Sequence, residues 1–172
     1  MDAQHVQVCV MGVSAAGKST VGLLLTQRLD AAFIDADDLH PVENTTKMAA
    51  GRSLTDDDRW VWLDAVGARF ADAAAHGRDL VIACSALARR YRDRIRSAAP
   101  GVVFVHLHGD AELLAQRAGD RREHFMPAAL LASQIEALEP LAPDEPGVTL
   151  DVAESPSALA ARAVAWLGRH PA

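Results

Sequence analysis

The sequence predicts a three-layer fold of the α/β class, in which helices cover both faces of a five-stranded parallel sheet. Two patterns predict it: short apolar runs rich in Val and Ile, and longer helical stretches between them. The runs lie at 6–11, 32–34, 80–84, 102–107 and 148–152. Continuous apolar runs are typical of strands buried on both faces, and connections of this length suit right-handed crossovers between parallel strands. The 172 residues of the chain correspond to one domain with a sizeable core.

The connections between the runs carry helical signals of their own. A helix is expected to start near Lys18, directly after the first strand. Between 56 and 76, an apolar stripe at helical spacing predicts an amphipathic helix, formed by Trp60, Leu63, Val66 and Phe70. The last helix has Ser155 as its expected N-cap and Pro156 at its first position, and Gly168 is expected just past its end.

Composition and charge exclude several classes of protein. Lys and Arg number 17 against 23 Asp and Glu, a formal net charge of -6, so a broad basic surface for nucleic acid is not expected. No run approaches the roughly 20 apolar residues that cross a bilayer. The first residues lack the pattern of a secretion signal, so we expect a cytoplasmic protein without a membrane partner. Cys9 and Cys84 lie in apolar runs, which indicates core residues rather than a disulfide or a metal pair.

The strongest motif follows the first strand. Residues 12–20 match the phosphate-binding loop G-x-x-x-x-G-K-[ST] in its context of strand, loop and helix. Two glycines let the backbone curl, so that successive amides face phosphate oxygens at the positive end of the helix. Lys18 is expected to reach the β- and γ-phosphates, Ser19 to ligate Mg²⁺ and Thr20 to contact the α-phosphate. The predicted ATP contacts are Gly12, Val13, Ser14, Ala15, Ala16, Gly17, Lys18, Ser19 and Thr20.

Other classes of nucleotide-binding protein do not fit the sequence. A GTPase needs an Asn-Lys-x-Asp motif, but the single asparagine, Asn44, is followed by Thr45. A dinucleotide-binding fold needs G-x-G-x-x-G, which is absent. Transfer of a phosphoryl group to a small acceptor remains.

Carboxylates mark the end of the second predicted strand. Asp35 and Asp37 alternate there, at a sheet edge beside the phosphate loop where ligands bind in such folds. One carboxylate is suited to holding Mg²⁺ and the other to orienting the attacking hydroxyl. We assign Asp35 to the metal together with Ser19, and Asp37 to the acceptor. Asp38 is expected to be a solvent-facing carboxylate at a helix start.

Four blocks make the sequence resemble the gluconate kinases, a branch of the small-molecule P-loop kinases related to shikimate and adenylate kinases. The blocks lie at 12–20, 35–63, 84–96 and 117–139. Many kinases share the first block. The D-x-D-x-L-H-P run that starts at Asp35 and the H-F-M-P run that starts at His124 are specific to this branch.

The resemblance implies a P-loop NTPase fold with strand order 2-3-1-4-5, an acceptor-binding helical segment at about 38–60 and a short lid at about 117–130. It implies transfer of the ATP γ-phosphoryl group to the 6-hydroxyl of D-gluconate, which gives 6-phosphogluconate and ADP. It also implies a homodimer. Two alternatives stay open: a kinase of a related sugar acid or of shikimate, and a catalytically silent ATP-binding module that regulates a partner.

The acceptor implied by the resemblance is a linear anionic polyol, so its site needs hydrogen-bonding groups and a cation for the carboxylate. Beside Asp37, the candidate residues are His40, Lys47, Arg52 and Arg59, to which the resemblance adds Ser85, Arg89 and Gln134. Packing of His40 against Pro41 is an open alternative. So is surface pairing of the two arginines, Arg52 and Arg59, with the acidic run 56–58.

Two arginines enter the predicted lid, and two histidines precede it. Arg117 and Arg121 lie four residues apart on one helical face, and by resemblance both stabilise charge on the transferring phosphoryl group. His106 and His108 share a strand face, but further ligands are lacking nearby and we reject a zinc site.

The chain departs from the family pattern at two places that matter for the site. Ala15 and Ala16 occupy the phosphate loop where relatives carry a Gly or Ser pair, and an alanine that needs a positive φ there carries strain. Ala88 replaces a Lys on the acceptor side, for which Arg89 and Arg90 are the candidate substitutes.

Overall fold

A five-stranded parallel sheet forms the centre of the protein. The computed structural model describes residues 5–121 and 128–171. Its strands are β1 (Gln7–Met11), β2 (Ala32–Asp35), β3 (Leu80–Ala83), β4 (Val102–His108) and β5 (Gly147–Asp151). They pair in the order β2-β3-β1-β4-β5, and every pairing is parallel. The predicted α/β class and the strand order that the resemblance implies are confirmed.

Helices connect the strands and pack on the sheet. Those of the described residues are α1 (Lys18–Leu29), α2 (Val42–Ala49), α3 (Asp56–Ala75), α4 (Arg89–Ala98), α5 (Ala111–Asp120), α6 (Ala128–Ala137) and α7 (Pro156–Arg169). A short 3-10 turn, Ala36–Leu39, follows β2. Within 5–121 and 128–171, no helix has the length and apolar character that a membrane span requires.

Capping residues set the starts of two helices that border the site. At the start of α3, Asp58 N–H donates to Thr55 Oγ1 at 3.2 Å and Thr55 N–H donates to Asp58 Oδ2 at 2.9 Å. This reciprocal pair satisfies amides that the first turn leaves free. Helix α7 starts as predicted, because Ser155 Oγ accepts the Ala158 N–H and Pro156 occupies the first position.

The predicted end of the last helix is wrong. Helix α7 continues through Gly168 to Arg169, and His170 is its C-cap. A Cβ at Gly168 would meet no atom within 4 Å, and its φ is not positive. Glycine at this place is therefore an ordinary helical residue and not a terminator.

The sheet separates two apolar cores, and β1 contributes to both. Val8 and Val10 belong to the core shared with α1 and α7, whereas Cys9 and Met11 belong to the core shared with α3 and α4. The predicted stripe of α3 packs in the second core, with Trp60 only partly buried. This alternation follows from the two-residue repeat of a strand covered on both faces.

A buried ion pair fixes the irregular segment 138–146 that precedes β5. Arg92 on α4 has a side chain only 1% exposed, and its Nε donates to Glu145 at 2.6 Å. The guanidinium also donates to the carbonyls of Ala86 and Leu87, at 2.9 and 3.1 Å. Burial raises the pKa of Glu145, but the hydrogen bonds from Arg92 and the Ala142 amide, together with the charges of Arg92 and Arg89, leave that pKa below its ordinary value. The pair ties this segment to the loop that follows β3.

Candidate active site

The phosphate loop joins β1 to α1 in a strained backbone conformation. Gly12 has a φ of 149°, and a Cβ there would lie 2.7 Å from the Leu107 carbonyl oxygen. Gly17 has a φ of 90° and Ala15 a φ of 67°. Because a left-handed conformation costs a non-glycine residue about 1–2 kcal/mol, the strain expected at the alanine pair lies at Ala15.

Lys18 lies at the positive end of α1, as the first residue of that helix. Its Nζ donates to the Val13 carbonyl at 3.0 Å, which holds the ammonium across the loop. Burial lowers the pKa of Lys18; the Asp37 carboxylate opposes this shift, and the charge of Arg121 adds to it. Both charged side chains are therefore within electrostatic range of the loop. Amides at a helix start beside an ammonium form a site suited to phosphate.

The two predicted metal ligands lie side by side at the edge of the sheet. Ser19 Oγ donates to Asp35 Oδ2 at 3.1 Å. Asp35 Oδ1 accepts the Asp37 N–H at 3.0 Å, which fixes this carboxylate at the start of the 3-10 turn. Asp37 and Asp38 are both exposed in that turn. A hydroxyl and a carboxylate are the hard oxygen ligands that Mg²⁺ prefers.

A pocket of about 280 Å³ opens beside the phosphate loop. Its lining includes Gly17, Thr20, Arg117, Arg121, Glu154, Pro156 and Leu159. Arg117 Nη2 donates to the Val152 carbonyl at 2.7 Å, so this arginine ties α5 to the connection between β5 and α7. The structure therefore brings to the pocket both arginines of the predicted lid, Arg117 and Arg121. Residues 122–127 of the predicted lid, including the H-F-M-P run, lie outside the described residues.

The acceptor segment packs on the indole ring of Trp62. The rings of His40 and Trp62 stack with centroids 4.2 Å apart and planes 14° apart. Trp62 Nε1 donates to the Ala36 carbonyl at 2.6 Å, which anchors the indole to the 3-10 turn. Burial, together with the charge of Arg59, lowers the pKa of His40 to about 4. His40 therefore presents a neutral ring at pH 7.

Sequence reasoning missed the contribution of Asn44, which is only 2% exposed. Its Nδ2 donates to the Asp58 carbonyl at 2.9 Å and lies 3.3 Å from His40 Nδ1. The amide thus links the acceptor segment to the start of α3. The spacing of four residues between His40 and Asn44 was a usable signal, but the contact of Asn44 with Asp58 on α3 was not readable from the sequence.

The predicted acceptor cations of the second block differ in their partners. Lys47 Nζ donates to Asp58 Oδ2 at 2.7 Å, and this hydrogen bond lowers the pKa of Asp58 to about 2. Arg52 is exposed and has no side-chain hydrogen bond or ion pair within the part of the chain that the structure describes. Of these two cations, Arg52 is the one whose charge is not already matched by a carboxylate of the protein.

A charged network joins the starts of α3 and α4. Arg59 Nη1 donates to the Tyr91 hydroxyl at 3.2 Å, and that hydroxyl donates to Asp56 at 2.6 Å. Arg90 Nε donates to the same carboxylate at 2.9 Å. Arg89 Nη2 points elsewhere and donates to Asp144 at 2.6 Å. Both candidate substitutes for the missing Lys are thus engaged by carboxylates.

Two residues that the sequence assigns to the acceptor also contact the phosphate loop. The Ser85 carbonyl accepts the Gly12 N–H at 3.3 Å. Gln134 Oε1 on α6 accepts the Ser14 N–H at 2.7 Å. The loop after β3 and helix α6 therefore both touch the nucleotide side of the site.

The two histidines of β4 are His106 and His108. Their rings meet edge to face, with centroids 5.7 Å apart. Burial lowers the pKa of His106 to about 4. The described residues contain no cluster of three His, Cys, Asp or Glu side chains that could hold a metal ion.

Comparison with known proteins relates this arrangement to a family. A family model described as an AAA domain matches residues 8–141. The sequence is 40% identical over 160 residues to a probable gluconokinase of Xenopus tropicalis, an alignment that covers 84% of this chain and 84% of that protein. The chain belongs to the gluconokinase family.

Two solved structures agree with the fold of this gluconokinase-family chain. A sugar kinase from Janibacter sp. HTCC2649 has a TM-score of 0.91 and 43% identity, and the match covers 97% of this chain and 96% of that one. A gluconokinase from Sinorhizobium meliloti 1021 has a TM-score of 0.87 and 44% identity, with 96% and 93% covered. The predicted family is therefore confirmed, while the roles of individual site residues stay predictions.

Proposed function

We propose that this chain is a gluconokinase, an ATP-dependent phosphotransferase that acts on an alcohol group. It transfers the γ-phosphoryl group of ATP to the 6-hydroxyl of D-gluconate and releases 6-phosphogluconate and ADP. One observation carries the proposal: a phosphate loop with an adjacent Ser19–Asp35 pair, in a chain 40% identical to a protein named as a probable gluconokinase.

The nucleotide binds with its phosphates on the loop and its nucleoside in the adjacent pocket. Loop amides and the helix start offer hydrogen bonds and positive charge to the phosphates. Lys18 lies at that helix start and neutralises charge on the β- and γ-phosphates. The pocket beside Thr20 and Arg117 takes the sugar and base, since its lining combines apolar carbon with a guanidinium.

The Ser19–Asp35 pair suits Mg²⁺. Two hard oxygens, 3.1 Å apart at the end of β2, fit a cation that keeps several of its waters and takes one or two protein ligands. Ser19 Oγ and an Asp35 carboxylate oxygen would hold it. When bound, Mg²⁺ offsets the negative charge of the phosphates.

Asp37 and Arg121 act on opposite ends of the transfer. Asp37, exposed after β2 and within electrostatic range of Lys18, orients the acceptor hydroxyl and accepts its proton. Arg121 lines the nucleotide pocket and its charge also reaches Lys18, so it stabilises charge that spreads onto the transferring group. Arg117 shapes the pocket through its bond to the Val152 carbonyl.

Gluconate lies over the segment 38–60, with its carboxylate toward Arg52. Arg52 is exposed and its guanidinium has no carboxylate partner within 5–121 and 128–171, so it suits an external carboxylate, whereas Lys47 is paired with Asp58. His40, which is neutral, and the neighbouring Asn44 supply groups suited to hydroxyls of the polyol.

By family resemblance, we also propose a homodimer that works in the cytoplasm. Light scattering of the purified protein tests the dimer.

Acceptor-dependent release of ADP tests the function. Purified protein with Mg²⁺ and ATP is assayed against D-gluconate, related aldonates, shikimate, free sugars and a control without acceptor. Turnover with gluconate well above every other acceptor supports the proposal. Turnover with another acid only would keep the kinase and reassign the acceptor. Tight ATP binding without acceptor-dependent turnover would favour a silent regulatory module instead.

A further inference from the structure

One peptide group of the phosphate loop is held from both sides. The Val13 carbonyl accepts a hydrogen bond from Lys18 Nζ at 3.0 Å and a longer one from the Ala16 N–H at 3.3 Å. The N–H of the same peptide, which belongs to Ser14, donates to Gln134 Oε1 at 2.7 Å. The carbonyl and N–H of a trans peptide point in opposite directions. Gln134 and Lys18 therefore form hydrogen bonds to the two opposite sides of this peptide, Gln134 to its N–H and Lys18 to its carbonyl.

The orientation of this peptide sets the direction of the one carbonyl that accepts a hydrogen bond from Lys18 Nζ among the described residues. A rotation of the peptide plane would carry the carbonyl away from Nζ and leave the ammonium without its loop acceptor. The next residue, Ala15, has a φ of 67°, so the adjoining backbone is strained and would gain by relaxing. An acceptor on the N–H side opposes that relaxation.

Gln134 projects from an element that is itself fixed. Helix α6 buries Leu131, 3% exposed, and Ile135 packs against the same core. Just beyond the helix, Glu139 N–H donates to the Leu87 carbonyl at 2.8 Å. Glu139 Oε2 also accepts the N–H of Arg89 at 2.8 Å. The Gln134 side chain is half-buried, and the helix that carries it is anchored to the core. It therefore contacts the loop from a fixed position.

We infer that Gln134 is a positioning residue of the nucleotide side: its carboxamide oxygen locks the Val13–Ser14 peptide so that the Val13 carbonyl holds Lys18 in place. This role rests on the proposed function only in that ATP must bind the loop. It differs from the acceptor-binding role that the sequence suggested for Gln134, because it acts through Lys18 and not through gluconate.

A double-mutant cycle on ATP binding tests the inference without any acceptor. Gln134→Met keeps the length of the side chain and removes the acceptor oxygen. We expect roughly five- to tenfold weaker ATP binding, the effect of one lost hydrogen bond next to a charged group. In a Lys18→Met background, the same change should weaken binding less than about twofold, because the two residues act as a unit. Binding is measured by titration calorimetry.

Two further variants keep the test decisive. Gln134→Asn shortens the side chain by one methylene and keeps its amide, so it should give the same loss even if the Met variant folds poorly. Ser133→Ala is the matched control on the same helix, because among the described residues its hydroxyl bonds only to the Leu130 carbonyl within α6. It should leave ATP affinity unchanged.

Steady-state kinetics separate this role from acceptor binding. The Gln134 variants should raise KM for ATP and leave KM for gluconate unchanged. Equal losses of ATP affinity in both Lys18 backgrounds, unchanged ATP affinity, or a rise in the gluconate KM alone would each overturn the inference. A protein that binds ATP as expected but does not turn over gluconate would instead contradict the proposed function and leave the inference standing.

Discussion

The nucleotide side and the acceptor side of the site use different chemistry. On the nucleotide side, the proposed site consists of backbone amides, Lys18 and two arginines, and positive φ angles at Gly12, Ala15 and Gly17 set the shape of its loop. On the proposed acceptor side, the candidate groups are side chains, and carboxylates of the protein already pair with cations such as Lys47. The first site is preorganised for an anion. At the second, as proposed, the gluconate carboxylate would either pair with Arg52 or displace an internal carboxylate.

This contrast predicts which residues control the chemical step and which control binding. The largest effect is expected at Asp37, where the two sides meet. Asp37→Asn keeps shape but removes the proton acceptor, so kcat should fall by about 10²- to 10⁴-fold. ATP affinity should stay within about twofold of the wild type, because loop amides dominate nucleotide binding. Rapid-quench and steady-state assays measure kcat, and an ATP titration measures the affinity. Near-normal turnover would remove Asp37 from the mechanism.

On the nucleotide side, the largest loss is expected at Lys18. Lys18→Met keeps the stem and deletes the charge, so kcat/KM for ATP should fall by about 10²- to 10³-fold, as for other preorganised charge-stabilising donors. Gluconate KM should change little. Unchanged nucleotide kinetics would show that the loop does not use its lysine, and the contrast between the two sides would lose its basis.

On the acceptor side, a smaller effect is expected, confined to one substrate. Arg52→Met should raise the gluconate KM by about tenfold, the usual effect of one lost charge-assisted hydrogen bond, and leave the ATP KM unchanged. Arg28→Met is a control on α1, because Arg28 bonds to Ser157 far from the acceptor segment. If Arg52→Met leaves the gluconate KM unchanged, the carboxylate of gluconate does not bind Arg52. It then binds another cation, such as Lys47, which must first leave its carboxylate partner in the protein.

Much of the molecule was readable from the sequence, because the decisive signals were local. The buried strands, the loop 12–20 and the closeness of Ser19 to Asp35 all follow from short patterns at strand ends. The missed contacts join residues far apart in the chain, such as Gln134 with Ser14. Such pairing depends on how helices pack, and the charges of Lys47 and Asp58 alone did not indicate that they would neutralise each other.

The smallest effect concerns pH on the acceptor side. Because burial and the charge of Arg59 lower the pKa of His40 to about 4, its ring stays neutral from pH 5.5 to 8. The gluconate KM should therefore show no inflection near pH 6.5. Stability contributed by the neutral ring is complete above the ordinary His pKa of about 6.5 and is lost as the pH falls toward 4.

Chemical unfolding across this pH range, in the wild type and in His40→Gln, checks the sign of the effect. The wild type should lose stability more steeply than the variant between pH 6.5 and 4. A gluconate KM that rises around pH 6.5 would mean that His40 titrates normally and faces solvent.

The buried guanidinium of Arg92 should affect how readily proteases cut the segment 138–146. The segment 138–146 has no regular secondary structure, and irregular surface segments are the usual sites of nicking. Here the segment can open only if Glu145 leaves a partner that is itself bonded to the Ala86 and Leu87 carbonyls. Opening of the segment around Glu145 therefore breaks a buried ion pair, which costs about 3–5 kcal/mol. A protease of broad specificity should therefore cut this segment more slowly than its irregular backbone alone predicts.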